Sequence, residues 1–475
     1  MDFQVIIPFI SYFLLVILIG FYATKYSSRG VSEFFLGGRK MNHFVVALSA
    51  VVSGRSAWLL LGFTGMSYTM GLSACWAVIG YTAVEFLLFL FYAPRLRKFS
   101  GKHDCITLPD FYAARFRDKS GLLRILIIII FLIFMVTYVS AQFVGGGKAF
   151  FTNFNMSQTT GLIITAGIVL LYTILGGFLA VSLTDVLQAF VMIVALIGLP
   201  AFAISEMGGW SQVACELVLD KKEFLNPFAL SAGVMIGFLG IGLGSPGNPH
   251  ILVRYMSIKD HKQFKWTALV GTIWNVLLAG GALFVGLVGR AYFPVVCMLP
   301  DNDPENVYLT LALELLHPVF VGFLLASIFA AIMSTADSQL LVAASSIVRD
   351  LYEKIIHHDQ QLSQKKLAFL SRIIVVILVI IAVILGILIE DLVFWFVLFA
   401  WAGLGAAIGP TSLLALFWKR TSKAGVIAGL ISGTITVFLW KSIPFLSEKM
   451  YELIPAFLLS FLVTVLFSLI IRKKD

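Results

Sequence analysis

The chain is built from apolar runs of about 20 residues, and this feature restricts its fold more than any other. About 20 apolar residues are what an α-helix needs to cross the hydrocarbon core of a membrane. An all-α polytopic membrane protein is therefore expected, with one transmembrane domain over residues 1–475. The sequence predicts thirteen spans, at approximately 5–23, 43–70, 72–93, 125–152, 158–178, 182–204, 228–246, 267–289, 316–345, 373–389, 393–418, 424–440 and 452–471.

Composition and charge placement support a membrane location. Sixty per cent of the residues are hydrophobic and 12% are charged, which is too apolar for a soluble surface. The net charge of +9 does not indicate a nucleic acid partner, because Lys and Arg lie in short blocks between apolar runs. Alternate connections carry these blocks. The positive-inside rule therefore predicts a multi-pass protein of the plasma (inner) membrane, with the N-terminus outside and the C-terminus in the cytoplasm.

Signals for an enzyme, a cofactor or an obligate protein partner are missing from the sequence. No span contains a nucleophile–base pair or HExxH, and GGGKAF at 145–150 lacks the remainder of a phosphate-loop pattern, so we interpret it as small residues that let helices pack. The cysteines have no metal or redox spacing. A disulfide between Cys215 and Cys297 and free thiols both remain open, and Cys75 and Cys105 have no predicted partner.

Ionisable residues inside the spans are the first candidates for function. Arg55, in SGRSAW at 53–58, is accompanied by Glu85, Asp185 and Asp337. Each such group costs roughly 2.5–3.5 kcal/mol at the centre of a span, so it should face a cavity or a partner. Asp185 lies close to a helix end, and an interfacial acid is an equally open interpretation.

Asp337 is predicted to share a helical face with Ser334 and Ser338, at i, i+3 and i+4. Three oxygen-bearing side chains on one face suit a hard cation such as Na⁺. The alternative is that the hydroxyls bond to carbonyls of their own helix.

Helix breakers add a second signal. The second span contains Ser-Gly at 53–54, and the seventh, MIGFLGIGLGSPGNPH, is too rich in Gly and Pro for an uninterrupted helix. The two spans are five helices apart. Interrupted helices in corresponding positions of two halves are the sequence sign of the central site of an inverted-repeat transporter.

Longer motifs resemble those of a known family over nearly the whole chain. They include FFLGGRKM (34–41), SAWLLLGFTG (56–65), TLPDFYAARFRDKS (107–120), NPHILVRYM (248–256), AAIMSTADSQLLVAASSIVRDLY (330–352) and AWAGLGAAIGP (400–410). The chain resembles the solute:sodium symporter family, most closely its sodium/proline symporter branch. The resemblance implies secondary active transport by alternating access in a LeuT-type fold of five plus five helices. Its inverted repeats would be 43–204 and 228–418, with two extra helices in 424–471.

The resemblance also implies an ion site and a solute site. Na⁺, the expected coupling ion, would be bound by the carbonyls of Val52, Arg55 and Ala331 and the hydroxyls of Ser334 and Thr335. The solute would contact Arg55, Ser56, Trp58, Tyr138, Ile241 and Ser245. In this set, Ile241 and Ser245 stand where proline carriers have Trp and Tyr.

Two residues at the break in the second span, here called the second break, differ from the residues that proline carriers have there. Gly54 stands where proline carriers have an aspartate, and Arg55 where they have a methionine. A guanidinium within about 4–6 Å of Na⁺ is repulsive, so either Arg55 points away or Na⁺ does not bind there. We hypothesise that Arg55 pairs with Glu85, Asp337 or Asp185 and acts as a built-in cation or binds a substrate carboxylate. The alternative is a structural ion pair.

The function expected from these observations is secondary transport of a small organic solute, such as an amino acid or another carboxylate-bearing molecule. Na⁺ coupling follows from the resemblance. One alternative is a Na⁺-independent or proton-coupled carrier in which Arg55 replaces the ion. Another is a transporter-derived solute sensor.

Overall fold

The computed structural model describes residues 3–27, 35–175, 177–357, 363–388 and 392–471, and these residues are almost entirely helical. The α-helices are α1 (Phe3–Ser27), α2 (His43–Ser53), α3 (Thr64–Met70), α4 (Cys75–Leu87), α5 (Ala93–Lys102), α6 (Leu108–Phe116), α7 (Leu122–Phe154), α8 (Gln158–Leu175), α9 (Phe178–Glu206), α10 (Trp210–Asp220), α11 (Ala232–Leu239), α12 (Pro249–Ser257), α13 (Phe264–Tyr292), α14 (Val307–Leu315), α15 (Pro318–Ser345), α16 (Gln364–Leu388), α17 (Val393–Phe417), α18 (Lys423–Ser442), α19 (Pro444–Ser447) and α20 (Leu453–Ile470).

Each predicted span coincides with an apolar helical segment. Ten helical stretches in the described ranges are long and apolar enough to cross a membrane, and one of them, Trp58–Lys102, runs through the end of the second predicted span and all of the third. Three shorter apolar segments complete the pattern, at His43–Ser53, Gln158–Ile174 and Ala232–Gly247. The all-α polytopic prediction is confirmed, while the number of thirteen crossings stays a prediction.

The centre of the helical bundle is formed by α15 and α17. Their most apolar windows are 83% and 89% buried, against 28% for α1 and 33% for α20. Packing of α15 involves α1, α2, α7 and α9, and α17 packs against α7, α18, α20 and the irregular stretch Gly240–Gly247. One segment of each interrupted span, α2 and the stretch Gly240–Gly247, therefore lies against one of the most buried helices.

Close backbone contact brings α4 to the interrupted seventh span. A Cβ atom on Gly80 would lie 2.1 Å from the carbonyl oxygen of Leu239, so only glycine permits this approach. The contact positions the acidic residue of α4, Glu85, beside the irregular stretch Gly240–Gly247.

Candidate functional site

The second span is interrupted directly after Ser53, where α2 ends. Gly54 caps the helix, and Ser56 has a φ of 50°, a left-handed conformation that is rare for a residue with a side chain. Side chains replace hydrogen bonds that the helix loses: Ser56 Oγ accepts from the backbone N–H of Trp58 at 3.1 Å, and Gln142 Oε1 accepts from the residue between them at 2.9 Å. The structure thus has the break that the sequence predicts.

The seventh span is interrupted by the 3₁₀ stretch Gly240–Gly247, between α11 and α12. Carbonyls in this stretch are bonded by side chains of α17. The Nε1–H of Trp401 donates to the carbonyl of Ile241 at 2.8 Å, and the hydroxyl of Ser412 donates to that of Pro246 at 3.1 Å. The predicted break is present, and α17 holds its shape.

Arg55 is the centre of a buried polar network that joins four predicted spans. Its Nη2 atom donates to Glu85 Oε2 at 2.6 Å, and its Nε atom donates to Asn275 Oδ1 at 3.0 Å. The guanidinium carbon lies 3.9 Å from the centroid of the Tyr81 ring. On the other side of the carboxylate, the hydroxyl of Ser245 donates to Glu85 Oε1 at 3.3 Å.

This geometry selects Glu85 among the three hypothesised partners of Arg55. The side chains of the pair are 2% and 3% exposed, so the two charges neutralise each other in a dry environment. The guanidinium contacts α4 and α13, whereas Ser334 and Thr335 lie on α15. The side chain of Arg55 thus extends toward Glu85 and Asn275, and the choice between the two alternatives for Na⁺ at this break stays a prediction.

Most of the candidate Na⁺ ligands converge between the second break and α15. Ser334 Oγ donates to the carbonyl of Ala331 on its own helix at 3.0 Å, as the alternative for these hydroxyls predicts, and also lies 3.5 Å from the carbonyl oxygen of Val52. Thr335 Oγ1 donates to the carbonyl of Ser53 at 2.9 Å. The Arg55 carbonyl is different, because it accepts the backbone N–H of Leu59 at 3.0 Å. Hydroxyl and carbonyl oxygens without a charged ligand are a donor set that fits Na⁺.

Aromatic rings surround the candidate solute residues. The Trp58 ring stacks on Phe394 with centroids 5.7 Å apart and meets Tyr81 edge-on at 6.1 Å. Tyr138 lies edge-on to His250 at 6.1 Å and to Trp401 at 6.5 Å.

The candidate solute set is therefore linked through residues outside it. Tyr81 touches both Arg55 and Trp58. Trp401 connects Tyr138 with Ile241, and a Cβ atom on the neighbouring Gly244 would lie 1.9 Å from its Nε1 atom.

Asp185 and Asp337 belong to a separate buried network organised by Arg254. Arg254 Nη2 donates to Asp185 Oδ2 at 2.8 Å and to Ser338 Oγ at 2.6 Å. Ser49 Oγ also bonds Asp185, at 2.6 Å, and Ser338 Oγ lies 3.0 Å from Asp337 Oδ1. Asp185 is 0% exposed, so the interfacial interpretation of this residue is wrong. Arg254 is 2% exposed. Its place among other basic residues in the sequence suggests a cation in a loop, but the structure places it inside the bundle.

The small residues of GGGKAF at 145–150 pack closely against neighbouring helices, as interpreted. The lysine of this segment also contacts two acidic side chains. Lys148 Nζ lies 2.6 Å from Asp303 Oδ2 and 2.5 Å from Glu305 Oε2. Glu305 also accepts the backbone N–H groups of Val393 at 2.9 Å and Phe394 at 2.7 Å, the first residues of α17. Burial raises the pKa of Glu305, although the charge of Lys148 opposes this. The cluster ties α7, the loop before α14 and the start of α17 together.

The structure contains all four cysteines as free thiols, and Cys215 and Cys297 are both exposed. Within the described residues, no group of three or more His, Cys, Asp or Glu side chains could hold a metal ion.

Comparison with known proteins identifies the family. Residues 34–433 match the family model described as the sodium:solute symporter family. The osmoregulated proline transporter OpuE of Bacillus subtilis (strain 168) is 38% identical over 479 residues, which cover 100% of this chain and 96% of that protein. The sodium/proline symporter of Staphylococcus aureus (strain JH9) is 38% identical over 482 residues, covering 99% and 94%. The chain belongs to the sodium:solute symporter family.

As a member of this family, the chain is a multi-pass membrane transporter of small solutes and is not an enzyme, as predicted. A solved Na⁺-coupled sialic acid symporter has the same fold, with a TM-score of 0.83 and 17% identity over 100% of both chains. A nucleobase-cation-symport-1 family transporter gives a TM-score of 0.57 at 10% identity, covering 93% and 96%. The predicted LeuT-type fold is confirmed.

Several residues of the transporter's candidate site were not predicted from the sequence. Asn275 is an uncharged amide in an apolar run, and only ionisable groups were selected there. Tyr81, His250 and Trp401 are aromatic residues in spans, where a packing role is the usual interpretation. The only sequence signals for them were the family motif NPHILVRYM, which contains His250, and AWAGLGAAIGP, which contains Trp401.

Proposed function

We propose that the chain is a Na⁺-coupled secondary transporter of a small amino acid, with proline as the first candidate. One observation carries the proposal: Ser334 and Thr335 face carbonyls of the interrupted second span, while Arg55 is turned toward Glu85. The printed names of two relatives, a proline transporter and a sodium/proline symporter, support the choice of solute and ion.

Charge balance makes Na⁺ compatible with Arg55. An unpaired guanidinium about 4 Å from Na⁺ would be unfavourable by about 4 kcal/mol at an effective dielectric constant of 20. The Glu85 carboxylate is 2.6 Å from Arg55 Nη2, so its opposite charge cancels most of that field. Without the aspartate of proline carriers, we expect weaker Na⁺ binding, because neutral oxygens supply all of the coordination.

Aromatic and polar groups near the breaks suit a small zwitterion. Trp401 supplies, from α17, a ring against the seventh break, where Ile241 and Ser245 carry no aromatic group. In the described part of the chain, Trp58 Nε1 and Tyr81 Oη are buried without a hydrogen-bond partner. A solute carboxylate would accept from both groups, and a solute ammonium group would donate to Tyr81 Oη.

Alternating access would involve the two proposed inverted repeats, 43–204 and 228–418, followed by the extra helices in 424–471. Each repeat contributes one interrupted helix to the centre. We place the N-terminus outside and the C-terminus in the cytoplasm of the plasma membrane, because most cations then lie on the inner side.

Uptake into proteoliposomes tests the proposal. We expect an inward Na⁺ gradient to accelerate [³H]proline uptake, and an equal choline gradient to leave it slow. Thr335→Val should lower the apparent affinity for Na⁺ with little change at saturating Na⁺, because it removes one oxygen ligand and keeps the shape. Ser432→Ala, on α18, is the matched control for loss of a hydroxyl.

The alternatives give different results in the same vesicles. Proline uptake that follows a proton gradient or needs no gradient, with no Na⁺ effect, would contradict Na⁺ coupling. Saturable proline binding without counterflow would identify a sensor instead of a carrier.

A further inference from the structure

A cavity of about 570 Å³ lies between α6, the start of α7 and the helical stretch Ser346–Ile356, which continues from α15. The segment before α6 and the turn at 117–121 complete its walls. None of the described residues that line it belongs to the candidate ion or solute set. In the proposed orientation, these segments lie on the cytoplasmic side. The volume is within the range of about 300–1,000 Å³ that is typical of small-ligand pockets.

Basic side chains dominate the lining. Six of the twelve described lining residues are basic, and three are acidic. The basic residues are His103, Arg117, Lys119, Arg124, Arg349 and Lys354, and the acidic ones are Asp104, Asp110 and Asp118.

Two of the three carboxylates are neutralised by cations from outside the lining. Asp104 Oδ1 lies 2.9 Å from Arg39 Nη1. Asp118 Oδ1 lies 2.6 Å from Lys423 Nζ. Neither carboxylate therefore offsets the positive charge of the basic residues in the lining.

The third carboxylate, Asp110, belongs to an ion-pair cluster in the cavity wall. Its Oδ1 atom lies 2.8 Å from Arg124 Nη1, and its Oδ2 atom lies 3.6 Å from Arg349 Nε. Arg124 also pairs with Asp350, which is 0% exposed. Arg349 Nη1 donates to Glu353 Oε2 at 3.1 Å. The cluster joins α6, α7 and the stretch Ser346–Ile356, so the wall is preformed.

The cations of the lining retain many unused hydrogen-bond donors. An arginine side chain has five N–H donors and a lysine has three. Within the described residues, Arg124 and Arg349 form hydrogen bonds only through Nη1, and Arg349 Nε is buried without an acceptor. The side chains of Arg117 and Lys119 are exposed and have no ion pair or hydrogen bond in the described part of the chain. The cavity thus has a surplus of both positive charge and donors.

The turn that carries Arg117 and Lys119 is fixed by Asp118. The carboxylate of Asp118 accepts from the backbone N–H of Leu123 at 2.9 Å and from the hydroxyl of Ser120 at 2.8 Å. Its own backbone N–H donates to the carbonyl of Ala113 at 3.0 Å, which ties the turn to α6. The two cations are therefore presented from an ordered backbone.

We infer that this cavity binds a phosphate group, carried by a soluble small molecule or by the headgroup of an anionic lipid. Phosphate oxygens accept several hydrogen bonds at once, and a guanidinium can donate to them in pairs. Arg117 and Lys119 would neutralise the phosphate charge, and Arg349 would supply further donors. Basic pockets at the cytoplasmic ends of spans also suit lipid headgroups. The inference goes beyond the proposed transport function and does not depend on it, since no residue of the two breaks takes part.

Equilibrium binding of [³²P]phosphate to the purified full-length protein tests the site. We expect saturable binding with an affinity that falls tenfold or more in the double variant Arg117→Gln with Lys119→Gln, because two charged donors are lost. Both residues are exposed, so the variant should fold. Lys259→Gln with Lys262→Gln is the matched control, because it removes two exposed cations of another cytoplasmic connection that do not line the cavity. Exchanging the two residues, as Arg117→Lys with Lys119→Arg, should retain most of the affinity.

Competition against [³²P]phosphate identifies the source of the phosphate group. Displacement by glycerol 3-phosphate at lower concentrations than by short-chain phosphatidylglycerol would support a soluble ligand. The reverse order, with no displacement by phosphatidylcholine of the same chain length, would support a lipid headgroup. Absence of saturable phosphate binding, or an affinity that is equal in the two glutamine variants, would overturn the site. Na⁺-driven uptake by the same preparation would leave the proposed transport unaffected by that result.

Discussion

Replacing Glu85 with glutamine tests the buried ion pair that orients Arg55. The substitution keeps the size of the side chain and removes its charge, which leaves a guanidinium that is 2% exposed with neutral partners, Asn275 and the introduced amide, in place of its counter-charge. Breaking a buried pair by removing one partner costs about 3–5 kcal/mol. At about 2.1 cal/mol/K of unfolding entropy per residue, this equals a drop of roughly 3–5 °C in the melting temperature of a 475-residue chain.

A double substitution separates two contributions to the lost stability: the absence of the ion pair and the cost of a buried charge that has no partner. Arg55→Met combined with Glu85→Gln leaves no charge in this network, and the introduced amide would still accept from Asn275 Nδ2, which lies 2.7 Å from the carboxylate in the parent. We expect the double variant to melt above Glu85→Gln and close to the parent. Melting curves of the detergent-purified protein provide the measurement. Asp104→Asn, which disrupts a pair whose carboxylate is 83% exposed, is the control and should change little.

The reasoning about Arg55 would be refuted by either of two results. One is a Glu85→Gln variant as stable as the parent, which would mean that the carboxylate does not hold the guanidinium. The other is a double variant that is less stable than Glu85→Gln, because the unpaired charge would then not be the source of the loss.

Three further predictions concern other parts of the chain. Gly244→Ala should reduce uptake strongly, because the added methyl group displaces Trp401; a purified variant with unchanged uptake would contradict this placement. Lys148→Met should lower the melting temperature by several degrees, because it leaves Glu305 buried without its cation, whereas Lys148→Arg should retain most stability. Burial raises the pKa of Cys105 to about 12, so at pH 8 thiol reagents should modify it far more slowly than the exposed Cys215 in mass-spectrometric labelling.

The sequence predicted the parts of the site that depend on local chemistry. Ser-Gly at 53–54 and the Gly- and Pro-rich seventh span cannot sustain regular helix, and both breaks are present. The cost of a charge in lipid also predicts that Arg55 has a partner, and Glu85 was among the three candidates.

Choosing between partners required the packing of distant helices. Arg254 belongs to a basic block in the sequence, yet α12 carries it into the bundle to meet Asp185, 69 positions away. Lys148 meets Glu305 across 157 positions, and no local pattern records that contact. Helix-packing geometry sets such pairs, so periodicity and composition could not predict them.

Na⁺-driven proline uptake is the measurement that tests the proposed function most directly. Purified protein in proteoliposomes should accumulate [³H]proline under an inward Na⁺ gradient and lose most of that uptake when choline replaces Na⁺. Thr335→Val should need a higher Na⁺ concentration for half-maximal uptake. Equal uptake in Na⁺ and choline, or accumulation that follows only a proton gradient, would contradict a Na⁺ site between the second break and α15.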